Sequence, residues 1–149
     1  MKKLYLLRHA KSSWDSSALR DYERPLNSRG MREAAAMGAF FQENAFKIDR
    51  ILCSGALRTR QTLELLLNSY DYGGEIEYMD EIYASSPAIL KGIVRRQDCE
   101  SLLLIGHNPE LEELVFELSR QSFAMRTCHL AVIDMEDGRL EMFVGPPEG

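Results

Sequence analysis

KLYLLRH, residues 3–9, is a short apolar run closed by Arg8 and His9, and LLLIGHNP, residues 102–109, is a second, closed by Gly106 and His107. Each reads as a buried strand handing the chain to a loop: branched and aromatic side chains, too few residues for a helix, and a charged pair, glycine or proline at the end. Arg50–Cys53 (RILC) and Glu75–Met79 (EIEYM) have the same build, while the first two strands themselves span Lys3–Leu7 and Leu102–Ile105. Between them lie helical patterns. Ser28–Asn44 carries Met31, Ala34, Ala35, Gly38 and Phe41 at three-and-four spacing, and Thr59–Ser69 repeats it with Leu63, Leu66 and Leu67. Pro87–Arg96 and Pro109–Arg120 each open on a proline, which suits the first helical position. Leu130–Met135 and Leu140–Val144, around Glu136-Asp137-Gly138, read as a terminal β-hairpin. Strand alternating with helix predicts an α/β three-layer sandwich, a mostly parallel central sheet flanked by helices with the hairpin at its edge.

At 149 residues and 45% hydrophobic, the chain is expected to form one domain over residues 1–149 with a core that needs no staples. A net charge of −5 and a pI near 5.3 argue against the broad basic face of a nucleic-acid binder. No apolar stretch approaches the roughly 20 residues that cross a bilayer, and the run after Met1-Lys2-Lys3 is broken by Arg8, too early for a secretion signal. No membrane partner is expected. Cys53, Cys99 and Cys128 cannot all pair and fit reduced core residues, which favours a cytoplasmic protein.

In open α/β sheets, ligands bind beyond the carboxyl ends of the strands. Arg8-His9 ends the first strand, Ser54-Gly55 the second with Arg58 just beyond, and Gly106-His107-Asn108-Pro109 the fourth. Two guanidiniums converging on one point repel unless an anion sits between them, and phosphate suits their planar forks. The helix start at Asn108-Pro109 adds free N–H groups and a positive dipole end. A neutral imidazole there is a competent nucleophile toward phosphorus when its other nitrogen is held as N–H. An Arg-His pair alone is an ordinary surface feature in most proteins, and His107 alone an ordinary turn neighbour; the joint placement carries the reading. His129 fits no such geometry and reads as structural. Lys11–Asn27 is a long loop of the kind kept for function.

These segments resemble the histidine phosphatase superfamily, whose members include the cofactor-dependent phosphoglycerate mutases. LRHAKSSWD (Leu7–Asp15) resembles the R-H-G-E-S-x-x-N signature, RPLNSRG (Arg24–Gly30) the L-T/S-x-x-G helix entry, CSGALRTRQT (Cys53–Thr62) the S-x-x-x-R-x-x-Q-T element and LIGHNPE (Leu104–Glu110) the second histidine motif. The small size points within it to the SixA-type phosphohistidine phosphatases. The resemblance implies a phosphoglycerate mutase-like fold, His9 as phosphorylated nucleophile, Arg8 and Arg58 as phosphate ligands, and His107 as a donor to the transferring oxygens. It places the family's proton-donating carboxylate near Glu81, for which a solvated loop carboxylate is the competing reading. Ala10 replaces the signature glycine, tolerable unless a positive φ is required. Asp15 replaces a frequent asparagine; as a carboxylate it would repel phosphate and is kept out of the site.

The substrate class stays open between a phosphohistidine in a protein and a small metabolite or sugar phosphate ester. An open site suits a phosphoryl group presented on a protein surface, and a P–N bond depends less on a strong general acid. A noncatalytic phosphate-recognition module would need neither His9 nor His107, and two histidines without a placed third ligand make a poor zinc set. No cofactor is implied, and neither the oligomeric state nor the partner can be read.

Overall fold

Side chains alternate along β1 (Lys3–Arg8), with Leu4 and Leu6 on one face of the sheet and Tyr5 and Leu7 on the other, and that alternation sets the layers. In a computed structural model that describes residues 1–147, six strands form one sheet: β1, β2 (Arg50–Cys53), β3 (Glu75–Tyr78), β4 (Ser101–Gly106), β5 (Leu130–Asp134) and β6 (Arg139–Val144). Their order is β3-β2-β4-β1-β5-β6. The first four are parallel, and the β5–β6 hairpin joins antiparallel through β5 on β1.

Helices α1 (Ser28–Glu43) and α2 (Leu57–Leu67) cover the Tyr5–Leu7 face with Ala34, Met37, Phe41, Leu63 and Leu66. On the other face α3 (Pro87–Arg95) and α4 (Glu110–Ser119) pack Leu90, Ile93, Leu111 and Leu114 against Leu4, Leu6, Leu102 and Leu104. The result is the expected three-layer α/β sandwich. None of its helices is long and apolar enough to cross a membrane, among the described residues. Cys53 and Cys128 are fully buried and Cys99 half-buried, all as free thiols; burial pushes the Cys53 thiol up to about 12.

Local differences from the sequence reading have physical causes. The buried stripe of α1 runs Gly30, Ala34, Met37, Gly38 and Phe41, so Met31 falls one position off it and is 45% exposed. The helix is capped by Asn27 Oδ1, which accepts from Gly30 N at 2.8 Å. Helix α2 starts at Leu57 rather than Thr59, with Ala56 at the N-cap position and Ser54 Oγ accepting from Ala56 N just before it. Arg58 thereby lies in the first turn of α2 and not in the loop before it. Pro109 caps α4 instead of occupying its first position, whereas Pro87 does open α3 behind Ser86 Oγ. β3 is exposed along its whole length as the sheet's edge.

Candidate active site

The strand order brings the three chemical strand ends together. β4 returns between β2 and β1, pairing Gly106 with Arg8 and Ile105 with Cys53. Beyond the pairing, His9 N donates to Gly106 O and Ser54 N to Ile105 O, each at 3.1 Å, so the exits of β1, β2 and β4 leave side by side. The His9 and His107 rings end 5.3 Å apart between centroids.

His9 is buried, and its Nδ1 lies 2.7 Å from the carbonyl oxygen of Ala10. A carbonyl only accepts, so Nδ1 carries the proton and Nε2 keeps its lone pair. Burial first, then the charges of His107, Arg58 and Arg8, lowers the ring's pKa to about 3, against a raising contribution from the Ala10 bond. The ring is therefore neutral at ordinary pH. Ala10 is itself fully buried, has no left-handed φ, and donates its N–H to Thr62 Oγ1 at 3.0 Å, so the replacement of glycine costs no strain there.

His107 is buried with Nε2 2.8 Å from Ser54 Oγ, while its Nδ1 is buried with no partner among the described residues. With the serine hydroxyl donating to Nε2, Nδ1–H becomes a donor available to an anion. Burial and then Arg58 lower this ring to about 4. Arg8, half-buried, donates Nη1 to Met125 O at 3.0 Å and has its Nε buried without a partner. Asn108 Nδ2 donates to the same Met125 carbonyl, which ties the Gln121–Cys128 loop to the site. Arg58 is buried and comes within 6.0 Å of the Tyr83 ring, which packs edge-on to His107 at 5.5 Å.

Glu81 is not brought into contact with these four. It lies in a 3-10 turn (Asp80–Ile82), mostly exposed, 3.8 Å from Arg96 at the end of α3. Asp15 is exposed, its N–H donating to Ser13 Oγ, and it stands outside the cluster as expected. His129 packs against Phe143 and its carbonyl accepts from Arg8 N, a structural role.

The carboxylate that does meet the cluster is Asp21, which the sequence reading passed over. Its carbonyl accepts from Arg58 Nη1 at 2.7 Å, and its Oδ2 accepts from Arg58 Nη2 at 3.0 Å and from Tyr83 OH at 2.7 Å. Arg24 Nη1 donates to Oδ1 at 2.9 Å. The Tyr83 hydroxyl above all, then the two guanidiniums, lowers the Asp21 carboxyl to about 2. Arg24 is the buried anchor of the long loop: it also donates to Ser13 O and Ser12 Oγ and lies over the exposed Trp14 ring. Tyr22 OH reaches Asp80 Oδ1 at 2.5 Å, so two tyrosine–aspartate bonds cross between the 3-10 turns Asp21–Glu23 and Asp80–Ile82. The sole signal in sequence is that aspartate and arginine recur within four residues of a long loop. Among the described residues, no group of three or more His, Cys, Asp or Glu side chains is arranged to hold a metal.

Two imidazoles and two guanidiniums around buried unpaired donors make a cradle for a tetrahedral oxyanion beside a nucleophilic nitrogen. A model of the histidine phosphatase superfamily (branch 1) matches residues 4–82, more than half of the chain. The chain belongs to the histidine phosphatase superfamily. Within the superfamily the chain resembles a candidate phosphohistidine phosphatase SixA of Agrobacterium tumefaciens, whose crystal structure superposes with a TM-score of 0.91 at 31% identity, covering 97% of this chain and 98% of that one. A chloroplastic protein of Arabidopsis thaliana is 31% identical over 143 residues, covering 89% of this chain; the chain spans 66% of that relative's length. The phosphohistidine phosphatase SixA of Escherichia coli is 28% identical over 120 residues, with 77% of this chain and 73% of that protein covered. The fold is the phosphoglycerate mutase-like one of these neighbours.

Proposed function

We propose that this chain, acting as one domain in a reducing compartment such as the cytoplasm, hydrolyses phosphohistidine in a protein through a phosphohistidine intermediate on His9. The observation that carries the reading is the 2.7 Å bond from His9 Nδ1–H to the Ala10 carbonyl, which leaves Nε2 with its lone pair. In the first step Nε2 attacks phosphorus in line, the bond to the leaving group breaks, and its electron pair goes to the leaving atom. Arg8, Arg58 and His107 Nδ1–H hold the three equatorial oxygens, where fixed donors stabilise charge without reorganisation. Water then attacks the phosphohistidine and releases phosphate, returning His9 to its neutral form.

Phosphohistidine is preferred over esters because an alkoxide leaving group needs a proton, and Glu81, the expected donor, is mostly exposed and 3.8 Å from Arg96. The partner is then a phosphorylated protein, the class of substrate named for the Escherichia coli relative. Turnover of a phosphohistidine protein and of small phosphate esters, measured side by side, tests the substrate class. Alkaline quench with labelled substrate tests the route: a base-stable, acid-labile phosphoenzyme is expected in the wild type and none in His9→Ala, which is inactive. Substantial turnover by His9→Ala with no trapped species would remove His9 from the mechanism. Replacing Glu81 by Gln is expected to leave phosphohistidine turnover within about threefold of wild type, since a placed general acid commonly contributes about 10²–10⁴-fold.

A further inference from the structure

The carboxylate bonded to Arg58 is Asp21, and it is built to stay ionised. Asp21 Oδ2 accepts two hydrogen bonds, from Arg58 and Tyr83, while Oδ1 accepts one, from Arg24, and the side chain is 51% exposed. Oδ1, with one hydrogen bond in a half-exposed side chain, thus keeps accepting capacity for a further donor. The ionisable groups facing this carboxylate are Arg24 from its own loop, Arg58 from α2, Tyr83 from the second 3-10 turn and His107 beyond β4. Every one of the first three donates to it. Such a group is a poor proton donor and serves instead as a fixed negative charge and hydrogen-bond acceptor.

That distinction separates the two substrate classes. An ester leaves as an alkoxide and requires a proton from the enzyme. A phosphorylated imidazole protonated on its other nitrogen leaves as neutral imidazole, because the P–N electron pair returns to a ring that already carries its N–H. Nothing has to be supplied; the cationic ring has only to be stabilised. We propose that Asp21 sets the leaving-group class, its carboxylate accepting the ring N–H of a phosphoimidazolium and so selecting N-phosphoryl imidazoles over phosphate esters. This inference rests on the phosphohistidine reading given above and adds the residue that makes the choice. When His9 Nε2 bonds to phosphorus, the P–N bond of the substrate breaks, its electron pair stays on the substrate ring, and the ring proton remains shared with Asp21 Oδ1. The same fixed negative charge disfavours an ester, whose dianion gains no cation to offset it.

The test uses the full chain and two small probes, phosphoimidazole and glycerol 2-phosphate, with kcat and KM measured for wild type and Asp21→Asn. Loss of a charge-assisted hydrogen bond predicts that kcat for phosphoimidazole falls about ten- to hundredfold. The KM for glycerol 2-phosphate falls severalfold as the repulsion is lifted. The preference for phosphoimidazole therefore drops at least tenfold, roughly, on the same grounds. If Asp21→Asn does not fold by thermal melting, Asp21→Ser, short and uncharged, is measured in the same way. Equal losses on both probes reduce Asp21 to a positioner of Arg58 and overturn the proposal, as does an unchanged preference. Wild type that turns over glycerol 2-phosphate but not phosphoimidazole overturns the phosphohistidine reading itself, and this inference with it.

Discussion

Burial makes His9 and His107 resist protonation, and that resistance has a cost in acid. Their folded pKa values lie near 3 and 4, against an ordinary 6.5. Below about pH 6.5 the unfolded chain takes up protons that the folded chain refuses, so stability falls with pH, by about 1.4 kcal/mol per pH unit for each histidine, until the folded pKa is reached. Asp21 acts in a separate window: its carboxyl, lowered from 3.8 to about 2, stabilises the fold above the ordinary value and loses that contribution only below it. Urea unfolding at about pH 7 and about pH 5 should show the decline, and His107→Asn should reduce its slope by about half. An unaltered slope in His107→Asn would mean that this ring is protonated in the folded state.

At the scale of elements, the site depends on close approach. A Cβ on Gly38 would lie 2.2 Å from Leu66 O, so α1 and α2 meet backbone to backbone. Gly38→Ala should lower stability by about 1–3 kcal/mol, in spite of alanine's better helix propensity, and denaturant titration measures it. At the two 3-10 turns, Tyr22 and Tyr83 meet edge-on at 5.0 Å, each bonded to the aspartate of the opposite turn. Removing one hydroxyl in Tyr22→Phe should loosen the Lys11–Asn27 loop and raise its rate of proteolytic nicking, with the sheet's amide exchange unaltered. Strands and helices were legible because apolar runs and three-and-four spacing reflect burial that residues such as Leu4, Leu6, Phe41 and Leu63 undergo wherever the chain goes. The role of Asp21 was not legible. It depends on Tyr83, Arg58 and Arg24, which reach one carboxylate only after three separate segments have docked. Glu81, read from sequence either as proton donor or as solvated loop carboxylate, is mostly exposed and lies 3.8 Å from Arg96 at the end of α3.

For the molecule as a whole, the cradle joins the exits of three strands, and any anion bound there stabilises the entire sheet. Binding to the folded chain alone contributes RT ln(1 + [L]/Kd), about 2.7 kcal/mol at a hundredfold excess over Kd. Inorganic phosphate should therefore raise the melting temperature by several degrees, by roughly 2–4 °C per kcal/mol for a chain of this size. Arg58→Ala should abolish most of the shift while His129→Ala should not. A phosphate shift that survives in Arg58→Ala would place the anion elsewhere. Arg8, His9, Arg58 and His107 could be placed together from sequence because strand ends were legible; in the structure the fourth strand inserts between the first two and sets their exits side by side.

The two fully buried thiols, Cys53 and Cys128, have a consequence for the conditions under which this chemistry survives. Peroxide attacks thiolate, and burial holds both groups in the protonated form, with half-buried Cys99 also raised by burial. With His9 as the proposed nucleophile, the group that attacks phosphorus is a ring nitrogen and not a thiolate. Exposure to hydrogen peroxide at concentrations that silence a cysteine-dependent phosphatase should leave turnover by this chain intact, with any sulfenylation found by mass spectrometry confined to Cys99. Its hydrolysis of phosphoryl groups would continue through oxidative stress, when thiol-based phosphatases beside it have stopped.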